Sequence, residues 1–215
     1  MTTQKAPPRR RATQARSKAT VQRILDAAVA LLVEKGGEPV TMTEIAQRAD
    51  VVIGSLYQYF SDRSAIHKAI LIRHNAEVRI MLHTYFSGVT SFEGLIQSVQ
   101  EAFDEYFDMH RRDPLVNSIW SIVQTDPELQ KIDIEDSLQN ARYICSIAQP
   151  MLPRIDPDKL MAGCVLLNHQ ALQTGRLARA IPPELGALTL PIFQRMMRDT
   201  LHALKAENDA QMTDE

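Results

Sequence analysis

The stretch Gly54-Ser55-Leu56-Tyr57-Gln58-Tyr59-Phe60 concentrates groups that suit contact with something outside the chain. Ser55 and Gln58 are short hydrogen-bonding side chains that can address base edges or phosphates. Tyr59 combines a hydroxyl for a phosphate with a ring for a methyl group, and Gly54 lets a backbone come close to a sugar–phosphate wall. Arg63 follows this stretch, and Arg9, Arg10 and Arg11 precede it, as fixed positive charges. The chemistry on offer is recognition of a polyanion, without bond making or breaking.

Reaction chemistry finds little support. The sequence has no nucleophile elbow, phosphate loop, metal-spaced His/Cys set or close carboxylate pair, so no enzyme, cofactor or metal is expected. His67, His74 and His83 are too irregularly spaced to share a site. Cys145 and Cys164 sit among apolar residues without a CxxC motif; packed reduced thiols are the plain reading, a redox or metal switch the alternative. No apolar run approaches the ~18 residues of a membrane span, and no apolar segment backs the basic N-terminus. A cytoplasmic protein with no membrane contact is expected.

Charge divides the chain. The net charge is −2, yet residues 1–73 carry 12 Lys/Arg against 6 Asp/Glu, and residues 74–215 carry 12 against 20. The front third is suited to a polyanion and the remainder is not; a basic tail serving solubility alone is the competing explanation.

The elements that must position these residues are helical throughout. Residues 1–14, rich in Pro, Arg and Thr, are expected as a flexible basic arm. Val21, Ile24, Leu25, Ala28, Leu31 and Leu32 then form one helical stripe, stopped at Gly36-Gly37. Thr41 to Glu44 is a capping box that opens a short helix through Ala49, with Ile45, Ala46 and Ala49 inward.

Residues 49–60, ADVVIGSLYQYF, have strand-like composition. A strand must pair, however, and no other alternating run is available to receive its hydrogen bonds. Helical spacing instead puts Leu56 and Phe60 on one face, with Tyr57 beside them, leaving residues 50–52 as a turn. The plan is helix, tight turn, helix, the arrangement whose second helix enters the DNA major groove.

Further helices are expected from Ser61 as N-cap to about Phe86, and from Ser91 as cap until just before Asp113. Others run over about 114–124, over about 133–151, and from Asp156-Pro157 to about 180. A last one follows Pro182-Pro183 to near Lys205, with 206–215 a frayed polar tail. The fold class is all-α. The domains are an arm (1–14), a three-helix helix-turn-helix domain (15–63), a helical effector-binding and dimerisation bundle (64–205) and the tail (206–215).

TMTEIAQRADVVIGSLYQYFSDRSAI resembles the DNA-binding segment of the TetR family of bacterial regulators. The matching positions are Thr41, Ile45-Ala46, Ala49, Val51, Gly54-Ser55-Leu56-Tyr57, Tyr59-Phe60 and the basic residue at 63. ILDAAVALLVEKG matches the family's first helix. The likeness covers about residues 20–75. The family pattern has Gly at 50 and Ser or Thr at 52, where this chain has Asp50 and Val52. Val52 cannot cap, so the Asp50 carboxylate is expected to stand in; Ile53, often basic or polar in the family, is suited to a thymine methyl.

The resemblance implies DNA contacts from Thr41, Thr43, Ile53, Gly54, Ser55, Tyr57, Gln58, Tyr59 and Arg63; Arg9, Arg10 and Arg11 of the basic arm are suited to the adjoining minor groove, a solvated tail being the alternative. It implies a transcriptional regulator, most often a repressor, that binds a palindromic double-stranded operator as a homodimer and is released by a small effector. Candidate dimer contacts are Leu160, Cys164, Leu167, Ala171, Leu190, Phe193, Met197 and Leu201, each equally suited to the core. Candidate effector walls are Phe103, Tyr106, Phe107, Met109, Trp120 and Tyr143, with Asn168 and His169 as polar anchors, and they suggest a hydrophobic or aromatic ligand. Core packing is the ordinary alternative for each. A helical interaction protein that has lost specific DNA binding is the rival reading, supported by Val52 and Ile53.

Overall fold

The computed structural model describes residues 9–36, 39–112 and 115–213. Among them every regular element is a helix. The chain divides into two compact units, residues 1–73 with 115–126, and residues 74–114 with 127–215. The first is larger than the 15–63 segment expected to carry the helix-turn-helix.

Unit 1 holds α1 (Arg9–Lys35), α2 (Met42–Arg48), α3 (Ile53–Tyr59), the first part of α4 (Arg63–Phe86) and all of α6 (Leu115–Val123). Helix α1 begins at Arg9, so residues 9–14, expected within the arm, form its opening turns. Residues 1–8 of the expected arm lie outside the described residues. The expected stripe is buried at Ile24, Leu25, Ala28, Leu31 and Leu32, and Gly36 turns the chain at φ +58°. Gly37 also lies outside the described residues. Helix α1 packs against α2 and α6, and α2 against α3.

Helix α4 is capped by Asp62 rather than Ser61. The Asp62 carboxylate accepts from the Ala65 amide at 2.9 Å and from the Ser61 hydroxyl at 3.0 Å. A carboxylate suits the positive end of a helix better than a hydroxyl, and Ser61 is left to support it.

Unit 2 holds the rest of α4, then α5 (Phe92–Arg112), α7 (Pro127–Ala148), a short 3-10 turn at Gln149–Met151, α8 (Pro157–Ala180) and α9 (Pro183–Thr213). Ser91 and Asp156 cap α5 and α8 as expected, accepting from the Gly94 amide (3.1 Å) and from the Asp158 and Lys159 amides (2.9 and 3.0 Å). Helix α7 starts at Pro127, six residues before the expected position. The core of this unit joins Val78, Met81, Leu82 and Phe86 to Leu95, Ala102, Leu152, Ile155 and Leu160.

Helices α8 and α9 approach closely. A methyl group on Gly186 would lie 2.1 Å from the Ala178 carbonyl oxygen, so only glycine admits that contact. Helix α9 runs on through residues 206–213, expected as a frayed tail. Asn208 is buried there and accepts from the Arg154 amide at 2.9 Å, and Lys159 pairs with Glu207 at 2.6 Å. Tertiary hydrogen bonds hold this segment where its polar composition alone predicted fraying.

Candidate nucleic-acid interface

The Thr41 capping box forms as the sequence predicts. The Thr41 amide and hydroxyl each donate to Glu44 Oε2 at 2.8 Å, and the Glu44 amide donates back to the Thr41 hydroxyl at 3.3 Å. Glu44 also receives Lys35 Nζ at 2.7 Å. The Lys35 and Thr41 hydrogen bonds together hold the Glu44 carboxyl down at about 2. On the same side Arg48 grips Glu34 with two hydrogen bonds of 2.7 and 2.6 Å. These contacts brace α2 against α1.

Helix α2 ends in a Schellman turn. The Val51 amide donates to the Ala46 carbonyl (3.0 Å) and the Asp50 amide to that of Gln47 (3.2 Å). The turn requires a left-handed residue, and Asp50 supplies it at φ +52°. This corrects one expectation. Asp50 does not stand in as a cap: Val52 is the N-cap of α3 and no side chain caps that helix. The Asp50 backbone is committed to closing α2.

Helix α3 has seven residues, too few to persist alone. Leu56 and Phe60 are its buried anchors, each worth about 2 kcal/mol on full burial. The opposite face is open. Ile53, Gly54, Tyr57 and Gln58 are exposed, and Ser55 and Tyr59 are half-buried. Tyr57, expected beside Leu56 and Phe60, is instead 53% exposed and joins the outer face. Thr41, Thr43 and Arg63 are exposed as well, with Arg63 Nη1 3.5 Å from the Val40 carbonyl oxygen. The Thr41 hydroxyl is already engaged in its cap. Arg9, Arg10 and Arg11 open α1, but their side chains lie outside what the structure describes.

Behind this surface His67 is buried in unit 1. Burial first, and Arg63 second, push its imidazole down to about 4, so it is uncharged near neutrality. It belongs to the core and not to a proton-transfer site.

The effector candidates divide. Trp120 is buried on α6 in unit 1, whereas the others belong to unit 2. Phe103 stacks at 5.4 Å on Phe193. Tyr143 meets His83 at 4.0 Å and Phe86 at 6.5 Å, and Met109 packs on the same core. Asn168 Nδ2 donates to the Ser137 carbonyl at 3.5 Å, and His169 is half-buried.

Sequence reasoning missed a polar cluster. Arg79 pairs with Asp136, whose other oxygen accepts from Asn140 at 3.0 Å. Asp133, Arg176 and Arg179 lie close enough to act on Tyr106, whose hydroxyl is pushed well up by burial. Burial, then Asp136, raises the Asp133 carboxyl to about 6 against the pull of Arg176. The i, i+3, i+7 spacing of Asp133, Asp136 and Asn140 on α7 was the available signal.

The dimer candidates face inward. Leu160, Phe193, Met197 and Leu201 are buried, and Cys164, Leu167, Ala171 and Leu190 pack against those cores within one chain. The exposed large apolar side chains of α8 and α9 are Leu166, Leu177, Leu185, Leu188, Ile192, Met196 and Met212. Burial raises both the Cys145 and Cys164 thiols, Cys164 to about 12, so both are packed protonated thiols. Among the described residues no group of three or more His, Cys, Asp or Glu could hold a metal ion, and no helix is long and apolar enough to cross a membrane.

An anchored, outward-facing second helix after a tight turn defines a helix-turn-helix protein joined to a helical C-terminal unit. The family models agree. That of the bacterial regulatory proteins of the tetR family matches residues 24–70, and that of the tetracyclin repressor-like C-terminal domain matches residues 93–204. The second spans more than half of the chain, which belongs to the TetR family of bacterial regulators.

Curated relatives match in the N-terminal part. The HTH-type transcriptional repressor KstR of Rhodococcus jostii is 44% identical over 52 residues, 24% of each chain. The HTH-type regulator YvkB of Bacillus subtilis is 39% identical over 57 residues, 26% of this chain and 30% of its own. The chain thus spans about a quarter to a third of these relatives' lengths. Solved structures extend the fold further. SmeT, the repressor of the Stenotrophomonas maltophilia multidrug efflux pump SmeDEF, aligns with a TM-score of 0.64 at 21% identity, covering 85% of this chain and 88% of SmeT. A TetR-family regulator from Streptomyces coelicolor aligns at 0.61 and 23%, covering 87% and 98%.

Two stability tests follow from these sites. Val52→Thr restores a capping hydroxyl and is expected to stabilise the chain by about 1 kcal/mol in chemical denaturation; Asp50→Gly, relieving the left-handed residue, gives a gain of similar size. A loss in both variants contradicts the assigned caps. Folded Asp133 holds its proton more tightly than the unfolded chain, so its contribution to stability falls as pH rises from the ordinary 3.8 to about 6. Asp133→Asn therefore melts above the parent at pH 7.5, and the gap closes toward pH 4; a gap that widens on acidification would refute the burial.

Proposed function

We propose that the chain is a ligand-responsive repressor of transcription that works as a dimer in the bacterial cytoplasm, at the nucleoid when bound. Helix α3 enters the major groove, with Ile53, Gly54, Ser55, Tyr57, Gln58 and Tyr59 toward base edges and the adjoining backbone. Thr43 and Arg63 meet phosphates on either side of it. Arg9, Arg10 and Arg11, at the start of α1, reach the neighbouring minor groove. The observation that carries this reading is the two-sidedness of α3, with Leu56 and Phe60 buried and the opposite face open.

One recognition helix reads too few base pairs for a genome, so two copies bind half-sites about 34–36 Å apart on a palindrome. The exposed stripe of Leu185, Leu188, Ile192 and Met196 on α9, with Leu166 and Leu177 on α8, supports a two-fold contact better than the inward residues expected from the sequence. Unit 2 takes a small, largely hydrophobic effector, and α4, whose residues belong to both units, carries the response. Differential affinity of about 1–3 kcal/mol between free and DNA-bound forms suffices.

A second reading, an interaction protein that no longer reads DNA, is favoured by the exposure of Val52 (77%) and Ile53 (39%). Selection of bound sequences from a random duplex pool separates the two. The repressor reading expects a two-fold symmetric sequence whose affinity falls steeply with salt. The Arg9→Ala/Arg10→Ala/Arg11→Ala variant then lowers the log–log slope by roughly 0.9 for each phosphate it no longer neutralises. No enriched sequence supports the second reading.

A further inference from the structure

Arg179, on α8, is half-buried, and part of its guanidinium lacks a partner. Its Nε and Nη1 are sealed from solvent, and neither has a hydrogen-bond acceptor. Burial pulls its pKa down, the direction expected of a desolvated cation. Buried N–H donors without acceptors destabilise a fold, so their presence calls for a compensating partner.

The surroundings indicate what that partner is. Arg179 Nη1 lies 4.0 Å from where a Cβ on Gly175 would stand, and the Phe107 ring lies 3.4 Å from the same point. A guanidinium and an aromatic ring therefore meet over a bare glycine. Tyr106, next to Phe107 on α5, is within electrostatic reach of Arg176, Arg179, Asp133 and Asp136. Asp136 is taken by Arg79 from α4, and Asp133 faces Arg176. The cluster holds three guanidiniums against two carboxylates, and Arg179 is the cation left over.

We propose that Arg179 anchors the carboxylate of an amphipathic acid whose apolar body lies against Phe107. The inference rests on the effector-response reading above and narrows it from a hydrophobic ligand to an apolar acid. A guanidinium can give a carboxylate two parallel N–H bonds, which an alcohol of the same shape cannot accept in that geometry. A monoanion also matches the single surplus charge, whereas a phosphate monoester would bring a second negative charge beside Asp133 and Asp136.

The test uses the full chain and matched pairs: hexanoate with hexan-1-ol, decanoate with decan-1-ol, and 3-phenylpropionate with 3-phenylpropan-1-ol. Binding is read by calorimetry, and release by competition with duplexes selected from the random pool. At least one carboxylate is expected to bind about tenfold or more tighter than its alcohol. Arg179→Met removes that preference while leaving the alcohol's affinity within about twofold, and Arg179→Lys keeps part of it. Without ligand, Arg179→Met is expected to melt above the parent, because two buried unsatisfied donors are gone; a purely structural arginine would give the opposite shift.

Binding of no carboxylate, equal binding of acid and alcohol, or a preference that survives Arg179→Met overturns the anchor. If carboxylates bind with the stated preference yet leave DNA affinity unchanged, the anchor stands and the ligand-responsive reading fails. If alcohols release DNA as well as acids do, that reading stands and the anchor fails.

Discussion

The structure depends on the burial of Leu56 and Phe60 beneath a helix too short to exist without them. A seven-residue helix is held only by what it packs on, and here the packing uses one side. Ile45, Ala46 and Ala49 of the preceding segment are buried as well, and the Schellman turn between the two helices fixes their angle. With one face committed inward and the turn closed, the other face has no freedom to hide. Ile53, Tyr57 and Gln58 point out because Leu56 and Phe60 point in.

Much of this was legible in the sequence, because its signals are local. The Thr41–Glu44 capping box, the Ser91 cap, the Asp156-Pro157 start and the stop at Gly36 involve residues a few positions apart, and each formed as read. Some misses were local too, with Asp62 rather than Ser61 capping α4, and others came where geometry is set at a distance. Asp50 looked like a spare cap, but the turn needed its left-handed backbone. Residues 206–213 read as a frayed tail until Arg154 and Lys159 tied down Asn208 and Glu207. Helical periodicity reveals that a stripe is apolar but not which neighbour covers it. Helix α9 carries two such stripes, and the one through Phe193 and Met197 closes the chain's own core while Leu188 and Ile192 stay exposed.

The two halves use charge differently. In unit 1 the ion pairs are exposed braces such as Arg48 with Glu34 and Arg73 with Asp26, each contributing little alone but fixing helix orientation as a set. In unit 2 charge is drawn inward around Tyr106, where burial raises the Asp133 carboxyl to about 6 and Arg179 Nε and Nη1 lack an acceptor. A core that served stability alone would have replaced both with apolar side chains.

Amide hydrogen exchange on the full chain, with and without double-stranded DNA, tests most directly whether α3 is the reading surface. Protection is expected to rise at Ile53–Tyr59 and at the Thr41–Thr43 end of α2 when DNA is bound. Protection confined to unit 2, with the α3 amides exchanging as in the free protein, would contradict that role.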